Sequence, residues 1–180
     1  MPATRSPIHL LQAREGTVAI EFAFIAPILI LLFLGTIELC NALICHQKVT
    51  TMAASASDLV AQDEAITGTQ LSDVFTAVNA IMYPFPTSGS RIIVTSVKQN
   101  PGHTGQYLVD WSVPFNTTAH TVGAAITIPS GLVTNNSSVI MTEISYTYTP
   151  PSNAVIRSSF TMSDTFYSKP RKSNFVVYTP

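Results

Sequence analysis

An apolar run near the N-terminus constrains this chain more than any other feature. Val18–Leu34 reads VAIEFAFIAPILILLFL, seventeen residues with Glu21 as the only charge. The uncharged stretch that begins at Phe22 continues for sixteen residues, up to Glu38. Because a helix rises about 1.5 Å per residue, about 20 apolar residues cross a bilayer core. The sequence predicts a membrane span at about 18–45 in which the carboxylates lie near a membrane edge or are neutralised, since one at the bilayer centre costs roughly 2.5–3.5 kcal/mol.

The residues before this run predict its orientation. Met1–Gly16 carries Arg5, Arg14 and a single acid, Glu15. A short basic segment before an apolar run stays in the cytoplasm, which places the rest of the chain outside it. A cleavable secretory signal is the alternative. We expect a retained anchor, because the run is longer than a signal-peptide core of roughly 7–15 residues and the next small-residue cluster, Ala53–Ala56, lies far beyond it.

Composition adds limits on partners and chemistry. The chain has 180 residues, enough for one domain or for one domain with an anchor, and only 11% of them are charged. Its net charge of −1 argues against general nucleic-acid binding, which needs a basic excess. Cys40 and Cys45 lie about 140° apart around a helix, so they cannot bond to each other there. We interpret them as small apolar helix residues, with a bridge between subunits as the alternative.

The helical pattern continues beyond the apolar run. His46–Gln62 has no Gly or Pro, and apolar side chains recur at helical spacing: Val49, Met52, Ala53, Ala56, Leu59 and Val60. One helix from about Thr17 to Gln62 would be about 69 Å long, so only its first half fits in a bilayer. The second half must pack its apolar stripe on something. Pro27 is predicted to bend the first half, because it removes a backbone hydrogen bond.

The remainder predicts a second helix followed by a sheet. A short helix is predicted over Gln70–Met82, and Tyr83–Gly89 has the composition of a linker. The apolar period then changes to two, which predicts strands within Arg91–Val97, Tyr107–Val113, Ile140–Tyr148 and Phe160–Tyr167. The fold class is therefore α+β, with a long N-terminal membrane-spanning helix that extends into a C-terminal antiparallel β-sheet domain. We divide the chain into a leader (1–16), a transmembrane and projecting helix (17–62) and an extracytoplasmic α+β domain (63–180).

No catalytic or metal-binding pattern emerges from the sequence. Asp110 and Glu143 occupy strand patterns, and we expect them to face solvent rather than to act as paired acids. There is no Gly-rich phosphate loop and no nucleophile elbow. The histidines are scattered without metal-ligand spacing: His9, His46, His103 and His120. We therefore predict a protein that is not an enzyme and that needs no cofactor or metal.

Glu21 has two interpretations. It is an acid near a helix start, where the helix dipole favours it and its side chain reaches the interface. Alternatively, its distance from Gly16 matters, because cleavage after Gly16 makes Thr17 residue one and Glu21 residue five. Cleavage would create an ammonium at the end of a membrane helix. That ammonium could pair with the Glu21 carboxylate of its own chain or of a neighbour.

These residues resemble a known family. Gly16–Pro27 reads GTVAIEFAFIAP and is followed by LGTIE, which together resemble the TadE-like pseudopilins of tight-adherence (Flp-type) pilus systems. The positions that match are Glu21, Phe22, Ala23, Pro27, Gly35 and Glu38. The specific motif covers about Gly16–Gln62, because the stretch that ends in Asp58–Gln62 resembles the family's helix continuation. The tail, Ser145–Pro150 with Lys169–Arg171, resembles the family more loosely.

The resemblance implies a minor pilin or pseudopilin that a prepilin peptidase cuts between Gly16 and Thr17. It implies roles in pilus assembly for Glu21, Phe22, Pro27 and Glu38. The implied partners are the major Flp pilin, a TadF-like pseudopilin, the inner-membrane assembly platform and the lipid bilayer. The chain would cross the bacterial inner membrane once, with its N-terminus cytoplasmic and its C-terminal domain periplasmic. The mature protein would then either stay in the membrane or enter the pilus.

Two other functions compete with pilus assembly. One is a binding module that the helix merely tethers to a membrane, and the other is a tethered extracytoplasmic enzyme. A mere tether needs neither Gly16 nor Glu21. We also expect Glu38 to matter less than Glu21, because Glu38 lies towards the periplasmic side, where water would solvate it.

Overall fold

The computed structural model describes residues 14–103, 105–134, 136–152 and 154–180. Most of the predicted leader, including Arg5 and His9, therefore lies outside the described residues. The described chain forms two compact units. The first contains the residues up to Asn41 together with Pro150–Ser158, and the second contains Ala42–Thr149 together with Ser159–Pro180.

Helix α1 (Arg14–Ala61) is the longest element and continues through Pro27. Its bounds lie within three residues of the predicted Thr17–Gln62, while the bend at Pro27 stays a prediction. In the first unit its large apolar side chains are exposed, Phe24 by 75% and Phe33 by 66%. By length and composition α1 could cross a membrane. A helix that is apolar all round and uncovered by protein is suited to lipid rather than to water.

The second unit combines the C-terminal part of α1 with a sheet and a short helix. The elements after α1 are β1 (Ala65–Thr67), α2 (Gly68–Ala80), a 3-10 turn (Thr87–Gly89), β2 (Ser90–Gln99), β3 (Tyr107–Phe115), β4 (Ala125–Ile126), β5 (Ser138–Tyr148), β6 (Phe160–Ser168) and β7 (Val177–Thr179). A five-stranded antiparallel sheet has the order β4-β3-β2-β5-β6, and a small parallel pair joins β1 to β7. The predicted α+β class is confirmed.

A capping box sets the start of α2. The Thr67 hydroxyl oxygen accepts a hydrogen bond from the Gln70 backbone N–H at 3.3 Å, and the Gln70 side chain accepts one from the Thr67 N–H at 2.8 Å. These two bonds satisfy N–H groups that the first turn of a helix leaves unpaired. The helix therefore begins at Gly68, two residues before the predicted start at Gln70.

The strands follow the predicted alternation. In β2, Ile92 and Val94 join the core on the α1 side of the sheet, whereas Val97 joins a smaller cluster with Met141 of β5. Successive side chains of a strand point to opposite faces, which explains this division. All four predicted strands lie within observed strands. The short strands β1, β4 and β7 were not predicted.

The C-terminal part of α1 buries the predicted apolar stripe against this core. The Ser57 hydroxyl, on the same face, donates a hydrogen bond to the Ile140 carbonyl at 3.1 Å. Leu59 is the exception, because it is 40% exposed. The predicted stripe residues that are buried in the core are Val49, Met52, Ala53, Ala56 and Val60.

We expect Ala56→Leu to destabilise the second unit by about 1–3 kcal/mol, since Ala56 is fully buried and added methylenes overpack a core. Ala54→Leu is the matched control, because Ala54 is only half-buried on the same helix. Denaturant unfolding of the full chain in detergent can be followed by the fluorescence of Trp111, the only tryptophan. Equal losses in the two variants would contradict the assigned buried face.

Candidate functional site

The residues predicted for processing and assembly lie along the first unit's part of α1. Gly16 and Thr17 are in the first turn, because the helix begins at Arg14. Thr17, Glu21 and Phe22 are exposed, and Phe22 is 65% exposed. Thr17 and Glu21 are four residues apart, about one helical turn, so they share one face. A new N-terminal amine at Thr17 would lie on the same side of the helix as the Glu21 carboxylate.

Pro27 is also exposed and contributes to an apolar groove. The groove has a volume of about 400 Å³ and lies beside the segment 150–158 of the same unit. Its lining residues are Pro27, Ile30, Leu31, Leu34 and Ala154. The structure therefore gives Pro27 a place on an open apolar surface, and it brings neither Glu21 nor Phe22 into that groove.

Glu38 differs from the other site residues because it is buried, with 1% of its surface exposed. Its Oε1 accepts hydrogen bonds from the Ser152 hydroxyl and from the Ala154 N–H, the latter at 2.9 Å. Its Oε2 accepts from the N–H groups of Val155 at 3.1 Å and Ile156 at 2.7 Å. The expectation that water solvates Glu38 was wrong, because protein donors replace water around both oxygens.

The segment Pro150–Ser158 comes close to α1 one turn before Glu38. A Cβ atom at Gly35 would lie 3.3 Å from Val155 Cγ2, which is tighter than most real Cβ contacts. Gly35 therefore allows the close approach that brings three successive backbone N–H groups onto one carboxylate. Successive amides that converge in this way form an anion-binding concavity.

These hydrogen bonds determine what Glu38 can do chemically. An ionised carboxylate has about four lone-pair sites, and four donors occupy them here. Glu38 therefore has little capacity left to act as a base, to bind a metal or to pair with an amine from another chain. Its role in the described unit is to hold a segment of backbone.

No sequence pattern predicts this contact directly. Three of the four donors are backbone amides, which almost any residue type supplies. Gly35 was the available clue, because it lies three residues before Glu38 in an otherwise bulky apolar run. Even so, only the folded chain reveals which segment needs that space.

Asp110 and Glu143 are half-buried, so the prediction that they face solvent holds only in part. Each is paired with a base instead of with the other acid. Lys98 Nζ lies 2.5 Å from an Asp110 oxygen, and His120 Nε2 lies 2.5 Å from a Glu143 oxygen. We find in these pairs no nucleophile, acid and base set. Among the described residues, no group of three or more His, Cys, Asp or Glu side chains could hold a metal ion.

A basic segment near the C-terminus is tied to the end of α1. The Arg171 guanidinium donates to an Asp58 carboxylate oxygen, and the Arg171 backbone N–H donates to the Ala61 carbonyl at 2.9 Å. A cation near the last helical carbonyls is also favoured by the helix dipole. Asp58–Gln62 and Lys169–Arg171, which both resemble the family, therefore contact each other in the second unit.

Comparison with known proteins gives one match. The family model described as TadE-like protein matches residues 16–58, about a quarter of the chain. No curated protein and no solved structure shows significant similarity to the chain. The matched segment contains Gly16, Glu21, Pro27 and Glu38, and it begins at the predicted cleavage position. This match confirms the resemblance seen in the sequence, and residues 16–58 form a TadE-like segment.

Proposed function

We propose that this protein is a pseudopilin or minor pilin required for the assembly of a Tad (Flp-type) pilus. The observation that carries the proposal is the TadE-like match over residues 16–58, which points to a pilus-related membrane protein. Within that match, Gly16 is followed by Glu21 on a helix with exposed apolar side chains. A tethered binding module would need the helix but not this arrangement of Gly and Glu.

In this proposal the chain has three parts with different roles. The leader 1–16 is removed by a prepilin peptidase between Gly16 and Thr17. The helix 17–62 crosses the inner membrane with its first half, and the domain 63–180 lies in the periplasm. The partners are the major Flp pilin, a TadF-like pseudopilin and the inner-membrane assembly platform, and the protein catalyses no reaction.

Glu21 acts in assembly through its charge. Removal of the leader creates an ammonium at Thr17, about one helical turn from Glu21. Opposite charges attract strongly in a low-dielectric site, whereas either charge alone is costly there. Phe22 and Pro27 belong to the exposed surface of the same helix, where helices of other subunits pack in the assembled state.

Cleavage after Gly16 predicts a mature chain of 164 residues (180 minus 16) that begins at Thr17. Mass spectrometry of the N-terminus of the membrane-extracted protein, from cells that contain the matching peptidase, measures this directly. We expect Gly16→Leu to block the cut, because the peptide must pass closely into the peptidase site. An intact Met1, or a new terminus near Ala56, would contradict the proposal.

The proposed topology places residues after about Cys45 in the periplasm. Alkaline phosphatase fused after Gln62 is expected to be active, because the enzyme matures only outside the cytoplasm. The same fusion point with a reporter that works only in the cytoplasm provides the control. Activity of that cytoplasmic reporter alone would reverse the orientation and refute the topology.

Glu21→Gln should leave cleavage and membrane insertion intact, since loss of a carboxylate makes insertion easier. Pilus numbers should fall, because breaking a buried ion pair typically costs roughly 3–5 kcal/mol. Glu64→Gln is the matched control, because Glu64 is exposed and lies beyond α1. Pili are counted by electron microscopy at matched protein levels.

Normal pilus numbers in the Glu21→Gln variant would contradict the assembly role and support the simpler interpretation, in which Glu21 is an acid at a helix start. Glu38→Gln is not a suitable control for Glu21→Gln, because Glu38 is buried and its carboxylate is hydrogen-bonded to the Ala154 and Ile156 N–H groups. Its substitution perturbs a contact within the chain and so tests a different property.

A further inference from the structure

We propose that the segment Pro150–Ser158 lies in the outer leaflet of the membrane, at the boundary between hydrocarbon and headgroups. Glu38 then accepts hydrogen bonds from backbone N–H groups of this segment, which would otherwise need water as their partner. The inference rests on the membrane span in the proposed function, but not on the role in pilus assembly. It adds a second membrane contact, more than a hundred residues after Glu38 in sequence.

The exposed apolar band of α1 continues on both sides of Glu38. Ile37 is 42% exposed before it, and Leu39 is 56% exposed after it. Exposed apolar side chains then continue to Ile44, six residues or about 9 Å beyond Glu38. Glu38 therefore lies inside the surface that is suited to lipid, and not beyond its end.

The segment Pro150–Ser158 contacts this band at the same level. Val155 approaches α1 at Gly35, and Ala154 lines the apolar groove together with Leu31 and Leu34. Val155 nevertheless remains 46% exposed. An exposed valine that lies among the lipid-facing side chains of a helix would itself face lipid.

Glu38 removes the main obstacle to placing this segment in lipid. An N–H group without a partner is expensive in hydrocarbon, so irregular backbone is tolerated there only when protein satisfies it. Glu38 accepts hydrogen bonds from the N–H groups of Ala154, Val155 and Ile156. In return, these donors and Ser152 compensate a carboxylate that would otherwise be costly near the membrane.

The charge on the segment Pro150–Ser158 favours lipid over a second protein as the partner of its exposed surface. Arg157 is exposed and comes directly after the three amides. Pro150–Ser158 contains no acid, so Arg157 is its only charge. An apolar side chain followed by an exposed cation is typical of a segment at the level of phosphate headgroups, which the cation reaches by snorkelling.

Nitroxide labels at single cysteines test the placement in the full chain, reconstituted in phosphatidylcholine–phosphatidylglycerol vesicles. Cys40→Ser removes the exposed native thiol, and Cys45 is buried. The label sites are Val155→Cys, Leu31→Cys in the apolar band and Val122→Cys, an exposed loop valine of the second unit. Dioxygen, which enters hydrocarbon, and a water-soluble nickel chelate are the relaxing agents.

We expect the labels at Val155 and Leu31 to have dioxygen-to-nickel accessibility ratios severalfold above that of Val122. A water-like ratio at Val155 with a lipid-like ratio at Leu31 would overturn the inference and leave the span intact. Water-like ratios at both positions would overturn the span as well. Protection of Val155 from both agents would also overturn the inference, because a second protein would then cover the segment.

Glu38→Ala tests whether Glu38 holds the segment in place. We expect nickel accessibility at Val155 to rise severalfold in this variant while the labels at Leu31 and Val122 keep their values. Glu38→Gln retains one acceptor oxygen and should give an intermediate rise. An unchanged label at Val155 in Glu38→Ala would overturn the role of Glu38.

Discussion

The apolar surface of α1 must be covered along its whole length, and the cover differs between its two parts. The C-terminal part packs on the sheet, with small side chains such as Ala53 and Ala56 fully buried. The N-terminal part exposes large apolar residues that the described protein does not cover. One helix can serve both purposes, because its backbone hydrogen bonds are satisfied internally in lipid and in protein alike.

The carboxylates of Glu21 and Glu38 have different environments on this helix. Glu21 is exposed near the helix start, where the helix dipole favours an acid and where a partner can still reach it. Glu38 is enclosed by donors from its own chain. Glu21 is therefore accessible to a partner from another chain, whereas the hydrogen bonds of Glu38 are made within its own chain.

The sequence predicted the elements that have a long repeating pattern. The stripe on α1 and the alternation in β2, β3, β5 and β6 recur over many residues, so their type could be inferred from spacing alone. Strands β1 and β7 have three residues each and pair across more than a hundred positions, as in Ile66 with Tyr178. A pattern that short carries no period, and only the pairing defines it.

The candidate site can be chosen from the sequence only to the extent that it depends on side-chain identity and spacing, and the roles of its residues stay predictions. Gly16, Glu21 and Pro27 could be selected because each is unusual in or beside an apolar run. The pairs Lys98–Asp110 and His120–Glu143 could not, since they depend on the register of β2 against β3 and on the path of a loop.

Distance along the helix does not determine how far water reaches Glu38. Its position near the predicted membrane edge suggested solvation, but the chain returns to that position through the segment Pro150–Ser158. A carboxylate that accepts hydrogen bonds from three backbone N–H groups also fixes the conformation of that backbone. The second acid of the TadE-like segment thus orders a part of the chain that lies outside the matched residues. Its importance in this protein therefore depends on residues that a comparison limited to the helix does not include.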